Sequence, residues 1–174
     1  MTGVLSNRPG PDEYSQDLAS YVARVPDGDV IDILSTQIVE TAALLHDLPD
    51  SRGDQRYAPG KWSIREVVGH MADTERVFAY RALCFSRGDP APLPGFDQDD
   101  YVRAAPFPRI SLVDLVDEFE HLRWATLHLF RNLDDDALMR RGSANGNEIS
   151  VRALAFLCAG HENHHVDILR TRYL

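Results

Sequence analysis

Apolar residues recur along most of this chain at intervals of three and four, the spacing of one face of an α-helix. Tyr14, Leu18, Tyr21, Val22 and Val25 mark a short helix that Pro26 and Gly28 stop. Ile31, Leu34, Ile38, Thr41, Ala42, Leu45 and Leu48 form the buried side of a longer one, and Asp29 stands where an N-cap belongs. A third helix is expected from Ser63 to about Arg87, with Ile64, Val67, Met71, Phe78, Ala82 and Phe85 inward. Ser63 and Glu66 have capping-box spacing, and Trp62 occupies the staple position before them. The cleanest stripe is Leu112, Leu115, Val116, Phe119, Leu122, Thr126, Leu129, Phe130 and Leu133, in a helix opened by Ser111 and Asp114. The last helix is expected from about Ser150 to near Tyr173.

The links between these patterns complete the expected architecture. Gly88, Pro90, Pro92, Pro94 and Gly95 begin a connection of roughly 20 residues, long enough to act as a cover or an interaction segment. Phe96, Tyr101 and Phe107 give it apolar anchors. Asp134 to Asp136 and Gly142 to Asn147 read as a polar link, and no strand alternation or hairpin is expected. The predicted fold is all-α: a four-helix bundle with one long crossover and a short additional N-terminal helix. We expect a single domain, with residues 1–28 as an arm, outside the core to about Pro11, and a short packing helix, and residues 29–174 as the bundle.

Histidines interrupt the last apolar stripe. At about 100° per residue, Val151, Leu154, Cys158, Ile168 and Leu169 share one arc, and His161 and His165 project into its middle. Burying two imidazoles one turn apart without partners costs several kcal/mol, about what an unsatisfied buried polar group costs, and a metal ion removes that cost. His70, on the periodic third helix, is the best third ligand. Three protein ligands would leave coordination positions open, as in catalytic rather than structural sites. His164 points away from the stripe centre and reads as rim, while His46, His121 and His128 read as surface residues.

Two further carboxylates bear on the site. Glu75 falls on the apolar side of its helix, where a buried carboxylate needs a partner. It is the candidate catalytic residue, as a proton acceptor or as an orienter of a ligand; the structural alternative is an ion pair with Arg81 or Arg123. His161 to His165 also fits H-E-x-x-H, in which Glu162 would be a general base. Only nine residues follow His165 and none is His or Glu, so the downstream third ligand of such proteases is missing.

Composition removes several function classes. A formal charge of -9 works against the phosphate attraction that drives nucleic-acid binding. No apolar run approaches the length of a membrane span, and the expected location is the cytoplasm. Cys84 and Cys158 form no multi-cysteine pattern and read as reduced core residues, although Cys158 lies one turn before His161, where a thiolate could reach the metal.

The run RYAPGKWSIREVVGHMADTERVFAYRALCFSRGD, the segment PGFDQDDYV and the ending SVRALAFLCAGHENHHVDILRTRYL together resemble the DinB-like superfamily, in the branch of the YfiT-type bacillithiol transferases. The resemblance spans about Val30 to Leu174. It implies an up-down-down-up four-helix bundle with one divalent cation, nickel or zinc ahead of iron or manganese, held by His70, His161 and His165. It also implies a homodimer, and an enzyme that joins a low-molecular-weight thiol to a small electrophile. A metal-dependent hydrolase and a noncatalytic metal-stabilised stress-response bundle are the alternatives.

Overall fold

A computed structural model describes residues 3–174; Met1 and Thr2, which begin the expected arm, lie outside the described residues. Four long helices form the body: α2 (Val30–His46), α3 (Ile64–Ser86), α5 (Leu112–Arg131) and α7 (Val151–Ile168). A shorter α1 (Ala19–Val22) precedes them, α4 (Gln98–Ala104) and α6 (Asp135–Met139) lie in the links, and a wider turn, Leu169–Tyr173, extends the end of α7. The starts are set by side chains read from the sequence: Asp29 accepts from the Ile31 amide, Ser63 and Glu66 form a reciprocal capping box, and Ser111 and Ser150 cap α5 and α7.

Around the bundle the neighbours run α2, α5, α3, α7 and back to α2, so the consecutive helices α2 and α3 face each other across a diagonal. Their directions follow from the two apolar clusters that fill the interior. One contains Leu34, Phe78, Phe85, Phe130, Leu154 and Leu157; the other contains Ile38, Leu45, Val67, Met71, Leu115, Phe119 and Val166. Helices α2 and α7 pass from the first cluster to the second, whereas α3 and α5 pass from the second to the first. This is the up-down-down-up order.

A polar belt lies where each helix changes cluster. Arg123 of α5 is fully buried and donates to both carboxylate oxygens of Glu75 on α3, at 2.8 and 3.0 Å. Its remaining nitrogen donates to Glu162 of α7 at 2.5 Å, and Thr41 of α2 donates to the other Glu162 oxygen at 2.6 Å. All four helices thus meet in one hydrogen-bonded network.

Several links differ from expectation. Residues 141–150 form an antiparallel hairpin, β1 (Arg141–Ala144) and β2 (Asn147–Ser150), where no strand was expected. Its turn is Asn145–Gly146, both with positive φ (52° and 74°), the backbone demanded by a tight two-residue hairpin. The strands are short and mostly polar, so alternation does not betray them; the Asn-Gly dipeptide is the signal that does. Helix α4 occupies the middle of the long connection, capped by Asp97. The N-terminal segment also enters the core: Leu5 is buried, and buried Glu13 binds Ser150 and Arg152.

Two glycines bring outlying elements onto the bundle. A Cβ on Gly69 would lie 2.4 Å from the Phe107 ring, and one on Gly160 would lie 2.0 Å from the Tyr21 backbone oxygen. Because that oxygen is backbone, Gly160→Ala must push α1 off α7. We expect a loss of about 1–3 kcal/mol in urea unfolding, and parental stability would show that α1 does not pack there. Arg123→Met should lose about 3–5 kcal/mol, because it strands two buried carboxylates, and Glu75→Gln should lose less, because Glu162 still pairs with Arg123. Equal costs would contradict this division of the belt.

Candidate metal centre

His70 on α3 and His161 and His165 on α7 come together at the edge of the polar belt, all three buried. His161 and His165 are one turn apart and share a face of α7, which packs against α3. A glycine precedes each run, Gly69 before His70 and Gly160 before His161, and admits the Phe107 ring and the Tyr21 backbone close to the helix backbone beside them.

The nitrogen geometry is specific. Nε2 of His161 lies 3.0 Å from Nε2 of His70 and 3.1 Å from Nε2 of His165. Burial, the largest cause, pushes His70 down to about 4 and His161 and His165 well below their ordinary value, so the rings are neutral near pH 7. Facing lone pairs at this distance repel unless a proton or cation lies between them. A single Nε2 proton on His161 can satisfy one of its two contacts and leaves the other. A shared cation satisfies both: bonds of about 2.0–2.1 Å at angles near 90–109° place ligand nitrogens about 2.9–3.4 Å apart. The donor set therefore fits a divalent ion.

An aromatic collar surrounds the rings. Trp62 lies 4.7 Å from His70, Tyr21 5.5 Å from His161 and Phe78 6.1 Å from His161, between ring centroids. Cavities reach the cluster from two sides. One of about 320 Å³ is lined by His70 and His161 with Tyr21, Thr74, Phe78 and Arg81. Another of about 320 Å³ is lined by His165 with Tyr57, Trp62 and Tyr173. Phe96 and Gln98 of the long connection line the first, where a covering segment was expected.

The other sequence candidates fall elsewhere. Both oxygens of Glu75 are held by Arg123, the structural alternative foreseen for it. Glu162 turns into the core toward Arg123 and Thr41, and burial raises its pKa, so it does not face a metal as a protease base would. Burial also raises the Cys158 thiol well above its ordinary value, and Cys84 and Cys158 are both free and buried, which removes the thiolate-ligand reading. His164 is half-buried against Tyr21, while His46, His121 and His128 are exposed. Tyr21, Thr74 and Arg81 line the site although no local pattern in the sequence marks them for it; by spacing alone Tyr21 is a packing residue of the first helix and Trp62 a staple.

Among known proteins, a protein of Oceanobacillus iheyensis whose name proposes a metal-dependent hydrolase is 28% identical over 125 residues, covering 70% of each chain. YfiT from Bacillus subtilis, described as a probable metal-dependent hydrolase with an unusual four-helix bundle topology, matches with a TM-score of 0.66 at 16% identity over 97% of both chains. A mycothiol-dependent maleylpyruvate isomerase matches with a TM-score of 0.68 at 12% identity, over 84% of this chain and 62% of its own. At these identities the two structures speak for the shared fold alone. The model of the DinB superfamily matches residues 33–169, and with that extent of match the chain belongs to the DinB superfamily.

Proposed function

We propose that the chain is a metal-dependent enzyme that activates a low-molecular-weight thiol for attack on a small electrophile. His70, His161 and His165 hold one divalent cation, nickel or zinc ahead of iron or manganese. The observation that carries this reading is the meeting of three neutral Nε2 atoms, 3.0 and 3.1 Å apart, beside a cavity large enough for a small molecule. A cation with three protein ligands and open positions lowers the pKa of a bound thiol or water.

The chain's own residues supply the rest. The collar of Tyr21, Trp62 and Phe78 limits water around the rings. Glu75 is a positioning residue in this reading: through Arg123 and Glu162 it fixes α3, which carries His70, against α7, which carries His161 and His165. Phe96 and Gln98 close the cavity from the long connection. The fold shared with a mycothiol-dependent enzyme favours the thiol reaction. Hydrolysis is the second reading, favoured by the names of the other two relatives. The working assembly is a homodimer, which light scattering on the purified protein tests.

Purified protein should contain about one divalent ion per chain by elemental analysis and conjugate a test electrophile with one of several cellular thiols. His161→Ala should reduce metal affinity by more than the roughly 10–100-fold typical of losing a residue that only supports a ligand, and turnover should fall with it, while far-ultraviolet circular dichroism stays helical. Turnover of an ester without thiol would favour hydrolysis; metal bound with no turnover of either kind would leave a noncatalytic bundle.

The metal-free protein should also lose stability as pH falls below about 6.5. Its unfolded chain then takes protons on histidines that the folded state keeps neutral, His70 down to about 4. Stability therefore rises with pH across that window, with His70 contributing about 3 kcal/mol in full. Urea unfolding of chelator-treated protein at pH 7 and pH 5, compared with His70→Gln, isolates the effect. An identical pH slope in the two proteins would contradict it.

A further inference from the structure

The cavity beside His70 and His161 is lined by a cation without a counter-ion and a hydroxyl without a hydrogen bond among the described residues. Arg81 is buried, at 7% exposure, yet it forms no ion pair among the described residues; one nitrogen donates to the Pro94 carbonyl at 2.9 Å. The other strongly buried arginines are neutralised: Arg65 by Asp50 and Asp54, and Arg123 by Glu75 and Glu162. Burial alone shifts Arg81, downward, with no acid to offset it. A cation largely removed from water without a counter-ion is unfavourable, so its place on the cavity wall asks for an anion.

Thr74 is the second such group. Threonine in a helix ordinarily donates its hydroxyl to the carbonyl four residues earlier, as Thr36 and Thr171 do to Asp32 and Asp167. The Thr74 hydroxyl is buried and has no hydrogen-bond partner among the described residues. His70, Thr74 and Arg81 lie at about 0°, 40° and 20° around α3, on one stripe, and all three line the same cavity.

We propose that this cavity binds the carboxylate of a small substrate, with Arg81 receiving the carboxylate and Thr74 hydrogen-bonding the same molecule between Arg81 and the histidines. This deepens the thiol-transfer reading by naming a carboxylate-bearing substrate class for that same site, and it rests on that reading for the reaction. A carboxylate fits better than a phosphate: one guanidinium matches a single negative charge in two-pronged geometry, Asp17 also lines the cavity and opposes a dianion, and no lysine lines it. The chain as a whole is acidic, at -9, so attraction of an anion has to be local.

The test uses the full chain, both chelator-treated and zinc-loaded, titrated calorimetrically with butyrate, which carries a single charge, and with its neutral isostere butyramide. The metal-free protein should bind butyrate at least about tenfold more tightly than butyramide, as expected for a charge-assisted hydrogen bond. Arg81→Met should abolish that preference without lowering unfolding stability, since it removes an unpaired charge; a purely structural arginine would instead cost stability. Arg81→Lys, a second variant should Arg81→Met not fold, should keep part of the preference, and Thr74→Val should weaken butyrate binding several-fold. In the zinc-loaded protein, 3-mercaptopropionate binding about tenfold more tightly than 3-mercaptopropionamide would place the carboxylate on the thiol, and equal binding of the two would place it on the electrophile. Equal affinity of the parent for butyrate and butyramide, or an unchanged preference in Arg81→Met, would overturn the proposal. Failure to bind zinc would sink the metal reading alone, because the metal-free titration does not depend on it.

Discussion

One buried guanidinium constrains the molecule more than any other group. Arg123 has no access to water, and a charge in that position must be neutralised where it stands. Its two carboxylates come from different helices and from positions close to the imidazoles: Glu75 is five residues beyond His70, and Glu162 adjoins His161. Thr41 extends the network to α2. Buried ion pairs contribute little net stability compared with well-packed apolar residues, so the network is better understood as a setting of helix positions. Sliding α7 along α3 would break a bidentate pair and strand a charge.

The same belt explains why the site lies mid-bundle rather than at an end. Apolar clusters above and below are filled mainly by Leu, Ile, Val and Phe, and the helices exchange one cluster for the other at the belt. Only there do side chains with polar heads point inward from all four helices. Glycines 69 and 160 then let Phe107 and Tyr21 approach the backbone next to the histidines. Packing outside the four helices thus sits beside the histidine-bearing turns, with the Tyr21 ring 5.5 Å from that of His161.

Much of this was legible in the chain. Four apolar stripes with capping residues gave the helices, and imidazoles placed inside a stripe gave the cluster, because each violates an otherwise regular pattern. The hairpin was not read, since Arg141–Ala144 and Asn147–Ser150 are too short and polar to alternate, and Asn145–Gly146 sat inside a stretch that resembled any polar link. Tyr21 and Trp62 looked like ordinary packing residues because nothing local records that a histidine lies across from them. Thr74 and Arg81 share a stripe with His70, but a missing partner is a three-dimensional property: a buried arginine stands out only once no acid is found within ion-pair reach of it among the described residues.

Arg123 has an electrostatic consequence beyond geometry. Glu75 and Glu162 are buried acids close to the imidazoles, and each could have served as an anionic metal ligand. Both are instead held by the guanidinium. The remaining donors are three imidazoles kept neutral by burial. In the proposed reading, a divalent cation on such ligands keeps its full charge, and an ion in that state favours anionic donors at its open positions, thiolate or hydroxide among them. Had either glutamate coordinated, part of that charge would be spent within the protein and the pull on a substrate proton would weaken. The buried ion network and the neutral histidine cluster are therefore two parts of one arrangement, in which protein carboxylates are paired inside the core so that the anion completing the site can come from outside.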